Sequence, residues 1–212
     1  DFEQSLTSIQ TLTGTAAETT EEWGQRILEL APTVGRGPQE LADGLFFVAS
    51  AGLEGEAAFE ALEASARGAA LGLGTTEEVA DAVTSAIGAY GQEALSASEA
   101  TDILAATVDR GKVEADALAG SIGRVIPIAA AAGVEFDEVG AAIAALSRTG
   151  LDAEEAATAL RQLFNNIISP SRESRQALAD VGLTAEDLRV ELETDLLGAL
   201  KLIREQFGDN TD

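Results

Sequence analysis

Glycine punctuates this sequence in a form that leaves few folds open. Gly52-Leu53-Glu54, Gly133-Val134-Glu135, Gly150-Leu151-Asp152 and Gly182-Leu183-Thr184 share one grammar. Each sets a glycine, able to take the left-handed conformation that ends a helix, before an apolar residue that can fold back on the turn behind it. Helix-starting side chains follow at once. Asp152 with Glu155 and Thr184 with Asp187 have capping-box spacing, and Thr75 with Glu78 and Ser96 with Glu99 repeat it after Gly74 and Gly91. Gly111 reads as one more such turn, and Ser169 before Pro170 reads as an N-cap with proline at the first helical position. Stops and starts this close together make consecutive helices run antiparallel.

Between the turns the apolar spacing is helical. Val139, Ala142, Ile143 and Leu146 fall at i, i+3, i+4 and i+7; Val79, Val83 and Ile87 follow the same rule, as do Leu160, Leu163, Phe164 and Ile167. No stretch alternates like a strand. The expected fold is all-α: stacked short antiparallel helical hairpins with glycine-terminated, N-capped turns. Hydrophobic residues make up 46% of the chain but aromatics only 4%, so the core must be filled by aliphatic side chains and alanine. In the helix after Asp137, Gly140, Ala141, Ala144 and Ala145 form a small face opposite the bulky stripe. Such a face lets another helix approach closely, whether from this chain or from a second copy. The apolar run Val125–Val134 is closed by Arg124 on one side and by Glu135, Asp137 and Glu138 on the other. It reads as a buried helix and is too short to span a membrane.

Composition shifts divide the chain into a helical core, 1–168, and a C-terminal helical extension, 169–212, after Ser169-Pro170-Ser171. Gly52, Gly74 and Gly91 recur 59 residues later as Gly111, Gly133 and Gly150, which raises an internal three-helix duplication, 52–110 and 111–169. Side-chain agreement between the halves is limited to Val79-Val83 with Val139-Ile143. Methionine is absent and the chain opens at Asp1, so the reading is a piece of a longer polypeptide. No signal-peptide pattern opens it.

Chemistry is scarce. Histidine and cysteine are both absent, which removes Cys and His nucleophiles, the Ser-His-Asp arrangement, imidazole or thiolate zinc sites and disulfides. A net charge of −24 excludes stable binding to a nucleic-acid backbone, which needs a basic stripe. Glu77-Glu78, Asp137-Glu138 and Glu154-Glu155 could suggest paired-carboxylate catalysis, but each is placed in a first helical turn, where negative charge complements the macrodipole. Glu21-Glu22 reads the same way. No stretch matches a calcium loop, and Gly68, Gly72 and Gly74 fit no phosphate-binding pattern. Arg110, Lys112 and Arg124 make a small basic group, read first as partners for nearby acids. Neither a catalytic residue, nor a cofactor, nor a metal ligand is expected.

A resemblance emerges from short runs in order. Glu77-Glu78-Val79-Ala80-Asp81-Ala82-Val83-Thr84-Ser85-Ala86 leading to Ala89-Tyr90-Gly91 is similar to the core of phage tail tape measure proteins of the TP901 type. Ala100-Thr101-Asp102-Ile103-Leu104, Gly123-Arg124-Val125-Ile126-Pro127 and Thr158-Ala159-Leu160-Arg161-Gln162-Leu163 resemble the same core, as do Leu28-Glu29-Leu30-Ala31-Pro32 and Leu45 to Gly52. The likeness is colinear from about Phe2 to Phe207. It implies a virion structural protein that occupies the tail lumen, sets tail length during assembly in the host cytoplasm and leaves ahead of the genome. Implied partners are other copies of itself, the tail tube, a tail assembly chaperone or tail tip proteins. The rival reading is a stand-alone acidic helical adaptor for a basic or amphipathic protein; an enzyme ranks below both. A ruler needs continuous helix, about 320 Å for this length at 1.5 Å per residue. A chain broken so often by glycine reads instead as a compact section.

Overall fold

A computed structural model describes residues 2–14, 16–192 and 194–208, and among these it has thirteen α-helices and no strand. In order they are α1 (Phe2–Thr13), α2 (Ala17–Val34), α3 (Pro38–Ser50), α4 (Gly55–Ala70), α5 (Thr76–Tyr90), α6 (Ala97–Arg110) and α7 (Ala115–Ile122). There follow α8 (Ile126–Ala131), α9 (Phe136–Ser147), α10 (Ala153–Ile168), α11 (Arg172–Asp180), α12 (Ala185–Leu192) and α13 (Leu196–Gly208). The protein is all-α, as the spacing requires.

Local chemistry sets several helix starts. Thr75, Ser96 and Asp152 each accept a bond from the backbone N–H three residues on, while the glutamate there reaches back to the cap's own N–H. Thr184 and Asp187 exchange the same pair of bonds at 2.9 and 3.1 Å. Replacing Asp152 with alanine strands the Glu155 N–H and should cost about 1 kcal/mol in a thermal melt.

Gly52, Gly74, Gly91, Gly133, Gly150 and Gly182 all have φ between +76° and +121°. Gly150 lies two residues past Arg148, the cap of α9, and so sits one position further from the helix than a C′ glycine. Gly111 departs from the turn reading: φ −98°, ψ −176° is extended backbone open to any residue. What excludes a side chain there is space, since a Cβ would lie 2.9 Å from Ser147 Oγ and from the Thr107 carbonyl oxygen.

Ser169 is not an N-cap. Its N–H donates to the Asn165 carbonyl at 2.8 Å and closes α10, so the next helix is capped by Ser171, which accepts from the Ser174 N–H at 3.0 Å. Glu21 and Glu22 lie one turn inside α2, whose first-turn acid is Glu18. The Val125–Val134 run forms a shorter helix, α8, because Pro127 sits in its first turn and fixes its start. Residues 52–110 hold three helices and residues 111–169 hold four. The stretch through Leu188 to Phe207, which reads in sequence as one charged helix, is divided into α12 and α13, because Asp195 restarts the chain by accepting from the Gly198 N–H at 2.8 Å.

The core is centred on α5, which touches α3, α4, α6, α7 and α8. Val79, Val83 and Ile87 are buried as their spacing demands, and Ala80, Ala82 and Ala86 are buried too, so neighbours close in around most of its circumference. Extensive contacts join helices that are not consecutive, notably α1 with α3, α3 with α5 and α6 with α9. At three crossings a helical glycine meets a buried threonine. A Cβ on Gly44 would lie 2.8 Å from Thr76 Cγ2, one on Gly68 2.9 Å from Thr101 Cγ2, and one on Gly140 would collide with Thr107 Oγ1. Glycine is required there by proximity.

Candidate functional site

The small face of α9 meets a helix of the same chain. Gly140 and Ala144 are buried, Ala145 is half-buried and Ala141 is exposed. Gly140 lies on Ile103 and Thr107 of α6, and Gly111 lies on Ser147. The two helices therefore run parallel. Lys112 donates its N–H to Ser147 Oγ at 3.0 Å, and Arg148 Nη1 donates to the Arg110 carbonyl at 2.8 Å, joining the two C-terminal ends. Arg110, Lys112 and Arg148 thus share one exposed corner. Arg124, grouped with the first two by sequence, is instead ion-paired with Glu154 at the start of α10.

Parallel helices bring two N-termini together at the other end. There, where α5 finishes and α6 and α9 begin, lies an open cleft of about 450 Å³. Its apolar lining comes from Tyr90, Leu95, Ile103 and Phe136, and its charged lining is wholly acidic: Glu99, Asp102, Glu135 and Asp137. Glu99, Glu135 and Asp137 each stand at a helix start, where negative charge is favoured, whereas Asp102 lies in the second turn of α6. Glu99 accepts from the Ser96 hydroxyl and N–H, and these bonds hold its carboxyl below the usual range. Asp137 accepts from the Glu138 N–H at 2.8 Å. Among the described residues, no hydrogen bond or ion pair is formed by the carboxylates of Asp102 and Glu135.

Tyr90, the one tyrosine of the chain, anchors the cleft. Its hydroxyl donates to the Val134 carbonyl at 2.8 Å, and its ring lies 5.9 Å from that of Phe136. Burial raises the phenol's pKa above its ordinary value, and the negative charges of Glu135, Asp137 and Glu138 raise it further. Because the folded state holds this proton more tightly than the unfolded chain, the stabilisation is present below the ordinary pKa of 10 and is lost as pH rises beyond it. Tyrosinate absorbance should therefore be missing in the folded chain at pH 10 and appear together with unfolding. A simple titration near 10 with helicity intact would show that Tyr90 is exposed.

Glu77-Glu78, Asp137-Glu138 and Glu154-Glu155 occupy first turns of α5, α9 and α10. Glu138 also accepts from the Leu196 N–H at 3.2 Å, tying the start of α13 to α9. Among the described residues no group of three or more acids converges closely enough to hold a metal ion, and no helix is long and apolar enough to cross a membrane. The site residues expected from sequence are thus dispersed along the chain as helix starts and turns. The cleft was not foreseen: Tyr90, Ile103 and Phe136 come from three helices, and only the order of polar and apolar residues at each helix start hints at it.

Residues 11–212 match the family described as phage-related minor tail protein. A tape measure protein of Pneumococcus phage Dp-1 is 24% identical over 187 residues, which cover 88% of this chain and 16% of that protein. The chain thus spans about a sixth of that relative's length. No solved structure matches it. The likeness drawn from the Glu77–Tyr90 run and its companions agrees with both sequence matches, and with the family matched over nearly its whole length the chain belongs to the phage-related minor tail proteins.

Proposed function

We propose that the chain is a folded section of a tape-measure-type protein that lies in the tail lumen, takes part in setting tail length and leaves ahead of the genome. The observation that carries this reading is the family match over residues 11–212, joined by the relative named as a tape measure protein. Its partners in this role are other copies, the tail tube, and an assembly chaperone or tip protein.

The fold supports a division of labour within that role. The longest helix, α2, has 18 residues, about 27 Å at 1.5 Å per residue. A packed domain of this size has a radius of gyration of about 17 Å, against the roughly 320 Å of a continuous helix. The rod that measures length lies, on this reading, in other parts of a longer polypeptide. A net charge of −24 suits a section that must not be held by departing DNA.

The test uses virions carrying the whole polypeptide, with an epitope tag inserted at the exposed Leu71-Gly72 turn. The tag is expected to resist protease in intact particles and to leave when ejection is triggered. A tag cleaved from intact tails would overturn the lumen placement. An in-frame deletion of the section is expected to shorten tails by far less than about 320 Å; shortening by that full amount would make this section part of the rod.

A further inference from the structure

We propose that the cleft between α5, α6 and α9 is a docking surface for a cationic amphipathic helix of a partner protein, an apolar side chain entering over Tyr90 and Ile103 while lysine or arginine side chains reach Asp102, Glu135 and their neighbours. This surface is independent of whether the chain works in the tail lumen.

Three observations choose the occupant. First, the cleft is apolar at its base and acidic at its rim, with no cation among its lining residues. A hydrocarbon ligand would leave the carboxylates of Asp102 and Glu135 without a partner, and a small anion would be repelled. Second, the carboxylates do not converge as metal ligands do, so the charge matches cations spread along a segment better than a single ion. Third, the whole chain carries −24, which steers basic partners toward it and opposes the approach of nucleic acid, anionic lipid or another copy. Helix-start chemistry accounts for Glu99, Glu135 and Asp137 taken singly. It does not account for their meeting around the half-buried Tyr90 and Ile103, which the parallel α6–α9 pair brings about. Asp102 and Glu135, without hydrogen bonds or ion pairs of their own, are free to take a partner's cations.

One basic cluster on this chain competes for the role. Arg110, Lys112 and Arg148 stand at the opposite end of the α6–α9 pair, so a second copy could set that corner into the cleft head to tail. The overall repulsion between copies makes this the lesser fit, and the experiment separates the two.

The probes are three synthetic helical peptides of equal length: leucine with lysine, leucine with glutamate, and serine with lysine. Binding to the 212-residue chain is followed by titration calorimetry and by the Tyr90 signal. The leucine–lysine peptide is expected to bind at least about tenfold more tightly than either of the others, more weakly as salt rises. Asp102→Lys with Glu135→Lys should weaken it about tenfold or more, whereas Glu18→Lys with Glu21→Lys, the same change of charge on α2, should weaken it by no more than about twofold. Circular dichroism confirms that each variant is folded, with Asp102→Asn and Glu135→Gln replacing the reversals if it is not. Equal weakening by both pairs would mean a diffuse charge effect and overturn the site. Equal binding of the serine–lysine peptide would remove the apolar floor. Sedimentation showing self-association that is lost with Asp102→Lys and Glu135→Lys, and regained on mixing with Arg110→Glu, Lys112→Glu and Arg148→Glu, would assign the cleft to a second copy and overturn the proposal.

Discussion

Phe164→Ala is expected to lower the unfolding free energy by about 3–5 kcal/mol and the melting temperature by roughly 10 °C. Phe164 is fully buried in α10, the helix that packs on α7, α8, α9 and α12. The cost of such a deletion depends on whether the surroundings collapse into the space left behind. Leu160 and Ile167, one turn to either side on the same face of α10, are themselves buried, so moving either into the space would open a gap elsewhere. Leu163, the next residue back, is half-buried and should lose clearly less on the same change. Urea and thermal unfolding of both variants check this, and a loss under about 1 kcal/mol at Phe164 would mean that the α10 interface is not packed as described.

Glycine substitutions inside helices should move stability in opposite directions depending on what faces them. Gly88, in α5, has nothing within 4 Å of a would-be Cβ, so Gly88→Ala gains helix propensity and stabilises by about 0.5–1 kcal/mol. Gly140→Ala drives its Cβ onto Thr107 Oγ1 and close to Ile103 Cγ2 at 3.2 Å, so it destabilises despite the same gain. Gly140→Leu should cost about 3 kcal/mol, at the upper end of overpacking. Thr107→Ala removes the obstructing oxygen and should recover part of the Gly140→Ala loss in a double-mutant cycle. Destabilisation by Gly140→Ala that Thr107→Ala leaves unchanged would show that the two helices are separated by more than this contact implies.

Features decided within four residues were legible in the sequence. The Thr75, Ser96, Asp152 and Thr184 caps each need only a partner three positions on, and those partners were visible. Ser169 was misread because Ser-Pro-Ser offers two hydroxyls, and the choice between them depends on how far α10 continues. Gly111 looked like its neighbours at the turns, yet the reason for it lies on Ser147, distant in sequence and brought close only by the parallel α6–α9 pair. The same distance hid the replacement of Arg124 by Arg148 in the basic corner. Threonines at 101 and 107 gave no signal of their own, since a buried threonine bonded to its own helix reads like any other helical residue, and the partner of the Thr76 hydroxyl, Glu40 of α3 at 2.7 Å, is distant in sequence. The cleft stayed hidden for a related reason: Glu99, Glu135 and Asp137 already had a sufficient local explanation at a helix start. The division between α12 and α13 was readable in Thr194-Asp195 before an apolar run, a start signal that lacked a glycine to announce it.

The shortness of the helices has a mechanical consequence. The folded section is several helices across, yet a single α-helix with its side chains is only about 10–12 Å wide. A passage wide enough for one helix but too narrow for the packed domain could still be threaded if the helices came apart at their connections. That separation would break side-chain contacts and leave the hydrogen bonds within each helix intact. The glycines at positions 52, 72, 133, 150 and 182, all at positive φ between successive helices, have the backbone freedom to act as its pivots. Resistance to a pulling force would then be set one interface at a time.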